Sequence, residues 1–214
     1  MSRAGAPPLI VIPVPRFARG ATLEGLAAAA LAGGADAIQL RAKRLPDAQI
    51  VALGRRLTAL CREHGALFFV NDDAAAALAC GADGVHVGPG DAAPREARRL
   101  LGEHGLIGVS VYSDADLAAA EEARATYVAV GAVYPTRTKE IAVVGLEGVR
   151  RLRAQTSLPV IAIGGIDAAN AAAAIGAGAD GVAVISAVCG APDPVAAARE
   201  LRARVLEALA ARGS

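Results

Sequence analysis

The stretch Gly178-Ala179-Asp180-Gly181-Val182-Ala183-Val184-Ile185-Ser186 decides the reading of this chain. An alanine-rich run ends in glycine, an aspartate follows, and a short apolar segment leads into a serine. Glycine suits the position past a helix where φ turns positive, and the apolar segment reads as a buried strand. The opening triplet recurs at Gly34-Ala35-Asp36 and Gly81-Ala82-Asp83, so successive copies lie 47 and 97 residues apart. Those intervals are close to two and four βα units, which makes the triplet a structural marker at the bottom of a repeating parallel sheet.

Outward from these markers, short apolar runs alternate with helical stretches along the whole chain. Strands are expected at 9–14, 36–41, 66–71, 83–87, 106–111, 126–131, 159–163 and 180–185. Helices are expected at 22–33, 46–64, 73–80, 94–104, 114–124, 146–156, 167–177 and 193–211, with starts at Pro46-Asp47, at Ser113 with Asp116, and at Asp167. Eight units without a composition break predict an α/β fold, a single (β/α)8 TIM barrel over residues 1–214, with residues 1–8 as a flexible N-terminal tail. An open doubly wound sheet is the alternative.

The composition narrows the partners. With 54% apolar and 20% charged residues, the 214-residue chain has enough apolar material for one large core. Its 22 basic and 21 acidic residues nearly cancel, which predicts no nucleic acid, no membrane and a small-molecule partner. Cys61, Cys80 and Cys189 are odd in number and lack metal-site spacing, which suits a reducing cytoplasm and core roles. Cys189 is expected in a loop near the rim. Only two of the basic residues are lysines, Lys43 and Lys139.

In such a barrel, chemistry sits at the C-terminal ends of the strands. Gln39, Arg41 and Lys43 are spaced by two and share one face of the second strand, opposite Ile38 and Leu40. Two cations turned into a barrel mouth call for an anion, whereas on a solvated strand end they would need none. Asp72 and Asp91 follow neighbouring strands and suit Mg²⁺ shared with phosphate oxygens, or else cap helices. Gly164-Gly165 after the seventh strand and Ile185-Ser186 after the eighth suit a phosphate group. The loop Tyr134 to Gly145 reads as a mobile flap carrying Thr136, Arg137, Thr138 and Lys139 over the mouth. His86 reads more readily as a hydrogen-bonded core histidine than as a mouth residue.

Taken together, Gln39-Leu40-Arg41-Ala42-Lys43, Asn71-Asp72, Gly84-Val85-His86-Val87-Gly88 with Asp91, Gly108-Val109-Ser110, Pro135-Thr136-Arg137-Thr138-Lys139 and Ala162-Ile163-Gly164-Gly165-Ile166 resemble the thiamine phosphate synthase family. The resemblance runs in order from about residue 36 to 188. It implies Mg²⁺-dependent coupling of hydroxymethylpyrimidine diphosphate with hydroxyethylthiazole phosphate, giving thiamine phosphate and diphosphate. By position, Gln39, Arg41, Lys43, Asn71, Ser110 and Lys139 would hold the pyrimidine diphosphate, and Asp72 and Asp91 the Mg²⁺. Thr136, Arg137, Thr138, Gly165, Ile185 and Ser186 would hold the thiazole phosphate. Lys139, Arg41 and Ser110 are expected to act at the departing diphosphate.

The chain departs from the family pattern in places. Asp73 stands where a basic residue is usual, Pro89-Gly90 replaces a glutamine-containing turn, and Ile12-Pro13-Val14-Pro15 lacks the usual threonine-aspartate ending. Asp73 either adds a carboxylate near the metal or caps a helix. A thiazole tautomerase-like relative and a non-catalytic barrel that binds thiazole phosphate are the other readings. Tyr112 stands where the tautomerase has its histidine, which favours the synthase. Homo-oligomerisation is left open.

Overall fold

Gly34, Gly81 and Gly178 all take positive φ, at 93°, 71° and 113°, and each turns the chain from a helix into the next strand. The aspartate two residues on then makes a paired contact with the preceding strand. Asp36 accepts from Leu9 N–H at 3.1 Å, Asp83 from Phe68 N–H at 2.8 Å, and Asp180 from Val160 N–H at 2.9 Å. Each aspartate also donates its own N–H to the carbonyl of the same strand residue. A fourth copy is present with different letters: Arg124 has φ 51°, and Thr126 Oγ1 accepts from Ile107 N–H at 3.1 Å. The even strands are thus stapled to the odd strands before them at the bottom of the sheet.

The computed structural model describes residues 6–17, 20–43, 45–88, 93–136 and 142–213. The strands are β1 (Leu9–Val11), β2 (Ala37–Leu40), β3 (Leu67–Asn71), β4 (Gly84–Val87), β5 (Leu106–Ser110), β6 (Tyr127–Val130), β7 (Val160–Ile163) and β8 (Gly181–Val184). The helices are α1 (Leu23–Ala32), α2 (Asp47–Glu63), α3 (Ala74–Cys80), α4 (Pro94–Leu101), α5 (Asp114–Glu122), α6 (Gly145–Gln155), α7 (Ala171–Gly176), α8 (Ser186–Cys189) and α9 (Pro194–Arg212). All strand pairs are parallel and β1 pairs with β8, which closes the (β/α)8 barrel.

Alternation along the strands creates two cores. Ile38, Leu40, Val85, Val87, Ile107 and Val109 point outward and pack under the helices. Ile10, Ile12, Phe69, Tyr127, Ile161 and Ala183 point inward and fill the lower barrel. These side chains plug the interior from below, and a cavity opens at the strands' C-terminal ends.

Several boundaries differ from the sequence expectation. Residues 6–8 do not behave as a free tail: Ala6 and Pro7 are buried, and Pro8 O accepts from Val182 N–H at 2.9 Å. Strand one ends at Val11, since Pro13 has no N–H to give to a ladder. Asp167 opens a turn instead of capping a helix: its Oδ1 accepts from Ala169 N–H and α7 begins only at Ala171. Cys189 is buried at the end of α8, a turn of helix not expected from sequence, and is not in a rim loop. The start at Ser113 has the expected capping box with Asp116.

Candidate active site

Alternation that buries Ile38 and Leu40 outside brings Gln39 and Arg41 to the inside, and Lys43 follows on the loop beyond β2. Gln39 is 3% exposed, faces the mouth, and has no side-chain hydrogen-bond partner among the described residues. Arg41 is half-buried and has no carboxylate partner among them. Both groups face the mouth, so the Gln39 amide and the Arg41 guanidinium are open to a ligand's hydrogen-bonding and anionic groups. Lys43 Nζ lies 2.8 Å from Asp72 Oδ2. Asn71, at the end of β3, also lines the mouth.

Asp72 and Asp73 separate cleanly. Asp73 Oδ1 accepts from Ala76 N–H at 2.8 Å and caps α3, so its carboxylate serves the helix. Asp72 takes φ 71°, a left-handed conformation that non-glycine residues seldom adopt, and its carboxylate faces the mouth beside Lys43. Its N–H donates to His86 O at 2.8 Å and so ties the turn to β4. Asp91 lies outside the described residues, and among those described no group of three or more histidine, cysteine or acidic side chains is placed to hold a metal.

The far wall comes from β7 and β8. Gly164 and Gly165 have φ 99° and 66°. A Cβ on Gly165 would stand 2.6 Å from Pro135 O and 2.7 Å from Tyr134 Cβ, so glycine here also lets the loop after β6 lie against the loop after β7. Ile185 precedes α8, and Ser186 opens it, leaving the first N–H groups of that turn without helical acceptors. Thr136 lines the same mouth, while Arg137, Thr138 and Lys139 lie outside the described residues. Ile12, Ile163, Ile166 and Ala183 form an apolar floor and side between the two polar walls.

All ten described members of the expected site therefore line one mouth: Gln39, Arg41, Lys43, Asn71, Asp72, Ser110, Thr136, Gly165, Ile185 and Ser186. His86 is the hydrogen-bonded core histidine expected from sequence, 9% exposed, and it lines the mouth as well. Its Nε2 lies 2.9 Å from Ser110 Oγ and its Nδ1 lies 3.0 Å from Tyr127 Oη. Burial lowers its pKa to about 4, with the Asp72 carboxylate opposing the shift, so the ring is neutral at pH 7. Tyr127, whose phenol burial pushes up its pKa, carried no sequence signal beyond its inward register on β6. Tyr112 stands at the rim, 49% exposed. The thiols are not part of the mouth: burial raises Cys61 to about 12 and Cys189 to about 11.

Comparison with known proteins agrees with this arrangement. The family model for thiamine monophosphate synthase matches residues 9–188. The thiamine-phosphate synthase of Moorella thermoacetica is 50% identical over 189 residues, covering 87% of this chain and 90% of that protein. That of Methanoculleus marisnigri is 48% identical over 204 residues, covering 94% and 97%. The solved thiamine phosphate pyrophosphorylase of Pyrococcus furiosus superposes with a TM-score of 0.86 at 42% identity, covering 94% of this chain and 96% of that one. With β1 to β8 and the mouth inside the matched span, the chain belongs to the thiamine monophosphate synthase family.

Proposed function

We propose that the mouth joins hydroxymethylpyrimidine diphosphate to hydroxyethylthiazole phosphate, forming thiamine phosphate and diphosphate. The observation that carries this reading is Arg41, half-buried without a carboxylate partner, on the wall opposite the glycine pair and Ser186. Two anion-seeking walls across an apolar floor suit two phosphorylated substrates held face to face. The buried Gln39 amide offers an NH2 donor group beside a carbonyl acceptor, which matches the edge of an aminopyrimidine.

The reaction needs little acid–base chemistry. The bond between the pyrimidine methylene and diphosphate breaks, its electron pair leaves on diphosphate oxygen, and the thiazole nitrogen lone pair forms the new C–N bond. Arg41, Lys43 and Ser110 would bind the diphosphate and stabilise the charge that grows on it, with Lys139 completing the set from the loop after β6. Ile12, Ile163 and Ala183 exclude water from the electron-poor methylene, so that nitrogen, and not water, captures it. Thr136, Arg137, Thr138, Gly165, Ile185 and Ser186 would hold the thiazole phosphate, and Asn71 would contact the pyrimidine diphosphate.

A Mg²⁺ ion fits this mouth. Asp72 supplies a hard carboxylate oxygen beside the cations, Asp91 would supply the second, and the remaining oxygens would come from diphosphate and water. When bound, the ion offsets part of the diphosphate charge. No helix among the described residues is long and apolar enough to cross a membrane.

Two variants separate the halves of the site. Arg41→Met should raise KM for the pyrimidine diphosphate about 10- to 100-fold, the loss expected for one charge-assisted hydrogen bond, and leave KM for the thiazole phosphate within about twofold. Ser186→Ala should act the other way, by several-fold. Equal effects of both variants on both substrates would refute the two-walled reading.

A further inference from the structure

His86, Gly108 and Tyr127 stand in register on the neighbouring strands β4, β5 and β6, all facing the barrel interior. Gly108 is the notch that lets the other two meet, because a Cβ there would collide with the Tyr127 hydroxyl and with His86 Nδ1. Across the notch run the two contacts given above, Tyr127 Oη to His86 Nδ1 and His86 Nε2 to Ser110 Oγ. The chain ends at the mouth, where Ser110 is half-buried on its wall.

The direction of this chain follows from counting donors. Tyr127 is 1% exposed, and its hydroxyl has His86 Nδ1 as its sole hydrogen-bond partner among the described residues. Its other neighbour is apolar: the Phe69 ring stands edge-on with centroids 5.7 Å apart. A phenol hydrogen that did not go to Nδ1 would be buried without an acceptor. Nδ1 must therefore accept, which puts the single ring hydrogen on Nε2, and Nε2 must donate to Ser110 Oγ. Ser110 has then received a hydrogen bond on its oxygen, and its own hydrogen is left for the mouth.

We propose that Tyr127 and His86 are positioning residues that leave Ser110's own hydrogen directed into the mouth, where a lone-pair acceptor on the pyrimidine diphosphate receives it. The proposal rests on the reading of the mouth as the pyrimidine diphosphate site. It explains why a neutral imidazole, a phenol and a glycine occupy a buried layer that apolar side chains would otherwise fill. No proton is transferred in the step, and the chain acts through geometry alone.

The test has a spectroscopic arm and a kinetic arm. Nitrogen-15 NMR of histidine-labelled, ligand-free protein at pH 7, with the signals assigned by their loss in His86→Gln, reads the tautomer directly. A neutral ring with hydrogen on Nε2 is expected; hydrogen on Nδ1, or a cationic ring, would overturn the proposal. This arm needs no variant of Tyr127 and is independent of turnover. In the kinetic arm, Tyr127→Phe keeps the ring and should lower kcat/KM about tenfold. In a Ser110→Ala background the same substitution should change kcat/KM less than about twofold, because the donor it orients is gone. A tenfold loss in both backgrounds would mark Tyr127 as merely structural and overturn the proposal. Absence of coupling by the wild-type protein would instead sink the functional reading, while the tautomer would stand as measured.

Discussion

The three aspartates of the repeated triplet offer a graded test of how the barrel is held at its base. All three accept one strand N–H, so Asp83→Ala, Asp36→Ala and Asp180→Ala each leave a buried donor unpaired. They differ in what else they hold. Asp83 has no ion pair among the described residues, and its loss should destabilise by about 1–2 kcal/mol, the range for one orphaned backbone group. Asp36 also binds Arg202 at 2.8 Å, but that side chain is 37% exposed; screening limits the addition, and the total should be about 2–3 kcal/mol. Asp180 has a 3% exposed side chain and meets Arg153 at 3.0 Å and Arg212 at 2.7 Å, tying α6 and α9 to the strand bottom. Removing it takes the carboxylate from Arg153, 19% exposed, and from Arg212, 34% exposed and so partly screened, while both keep backbone carbonyl acceptors; the loss should be about 3–4 kcal/mol. Urea unfolding at pH 7, compared at unchanged m-value, ranks the three. Equal losses, or the largest loss at Asp83, would refute this ranking.

Other outcomes follow from single residues. Arg124→Gly should stabilise by about 0.5–1 kcal/mol, since glycine accepts φ 51° without strain and the Arg124–Glu103 pair it removes is exposed; thermal unfolding checks it. Asp73→Ala should lower stability by about 1 kcal/mol through loss of the α3 cap while leaving the Mg²⁺ dependence of turnover unchanged. The three thiols should resist a disulfide reagent at pH 8 in the native protein and react together on unfolding. Burial, reinforced by the Asp83 carboxylate, raises Cys61 from 9.0 to about 12, so the native state holds its proton where the unfolded state has lost it. Its contribution is complete below pH 9 and falls by about 1.4 kcal/mol per unit between pH 9 and 12. Cys61→Ala should remove that slope, as urea midpoints against pH would show.

The fold was legible because its markers are physical requirements written in letters. Positive φ after a helix asks for glycine, and the staple at the strand bottom asks for a short acceptor, so Gly-Ala-Asp repeats. The fourth staple was hidden because Arg124 tolerates the same φ and Thr126 supplies the same acceptor under different names. At the mouth, period-two spacing placed Gln39 and Arg41 correctly, and the Asn71-Asp72-Asp73 run was ambiguous only until the helix start was known. What sequence did not give was contact across strands. The Tyr127–His86–Ser110 chain depends on three registers and on the absence of a side chain at Gly108, and no local pattern encodes that. Helix α8 escaped notice because four residues give no helical period.

The proposed reaction joins a pyrimidine diphosphate to a thiazole phosphate in one mouth. The measurement that meets it most directly is incubation of the wild-type protein with hydroxymethylpyrimidine diphosphate, hydroxyethylthiazole phosphate and Mg²⁺, following both products with and without EDTA. Thiamine phosphate and diphosphate are expected in equal amounts, both lost when EDTA removes the metal. Release of diphosphate without thiamine phosphate, or no product from folded protein that binds both substrates, would contradict it.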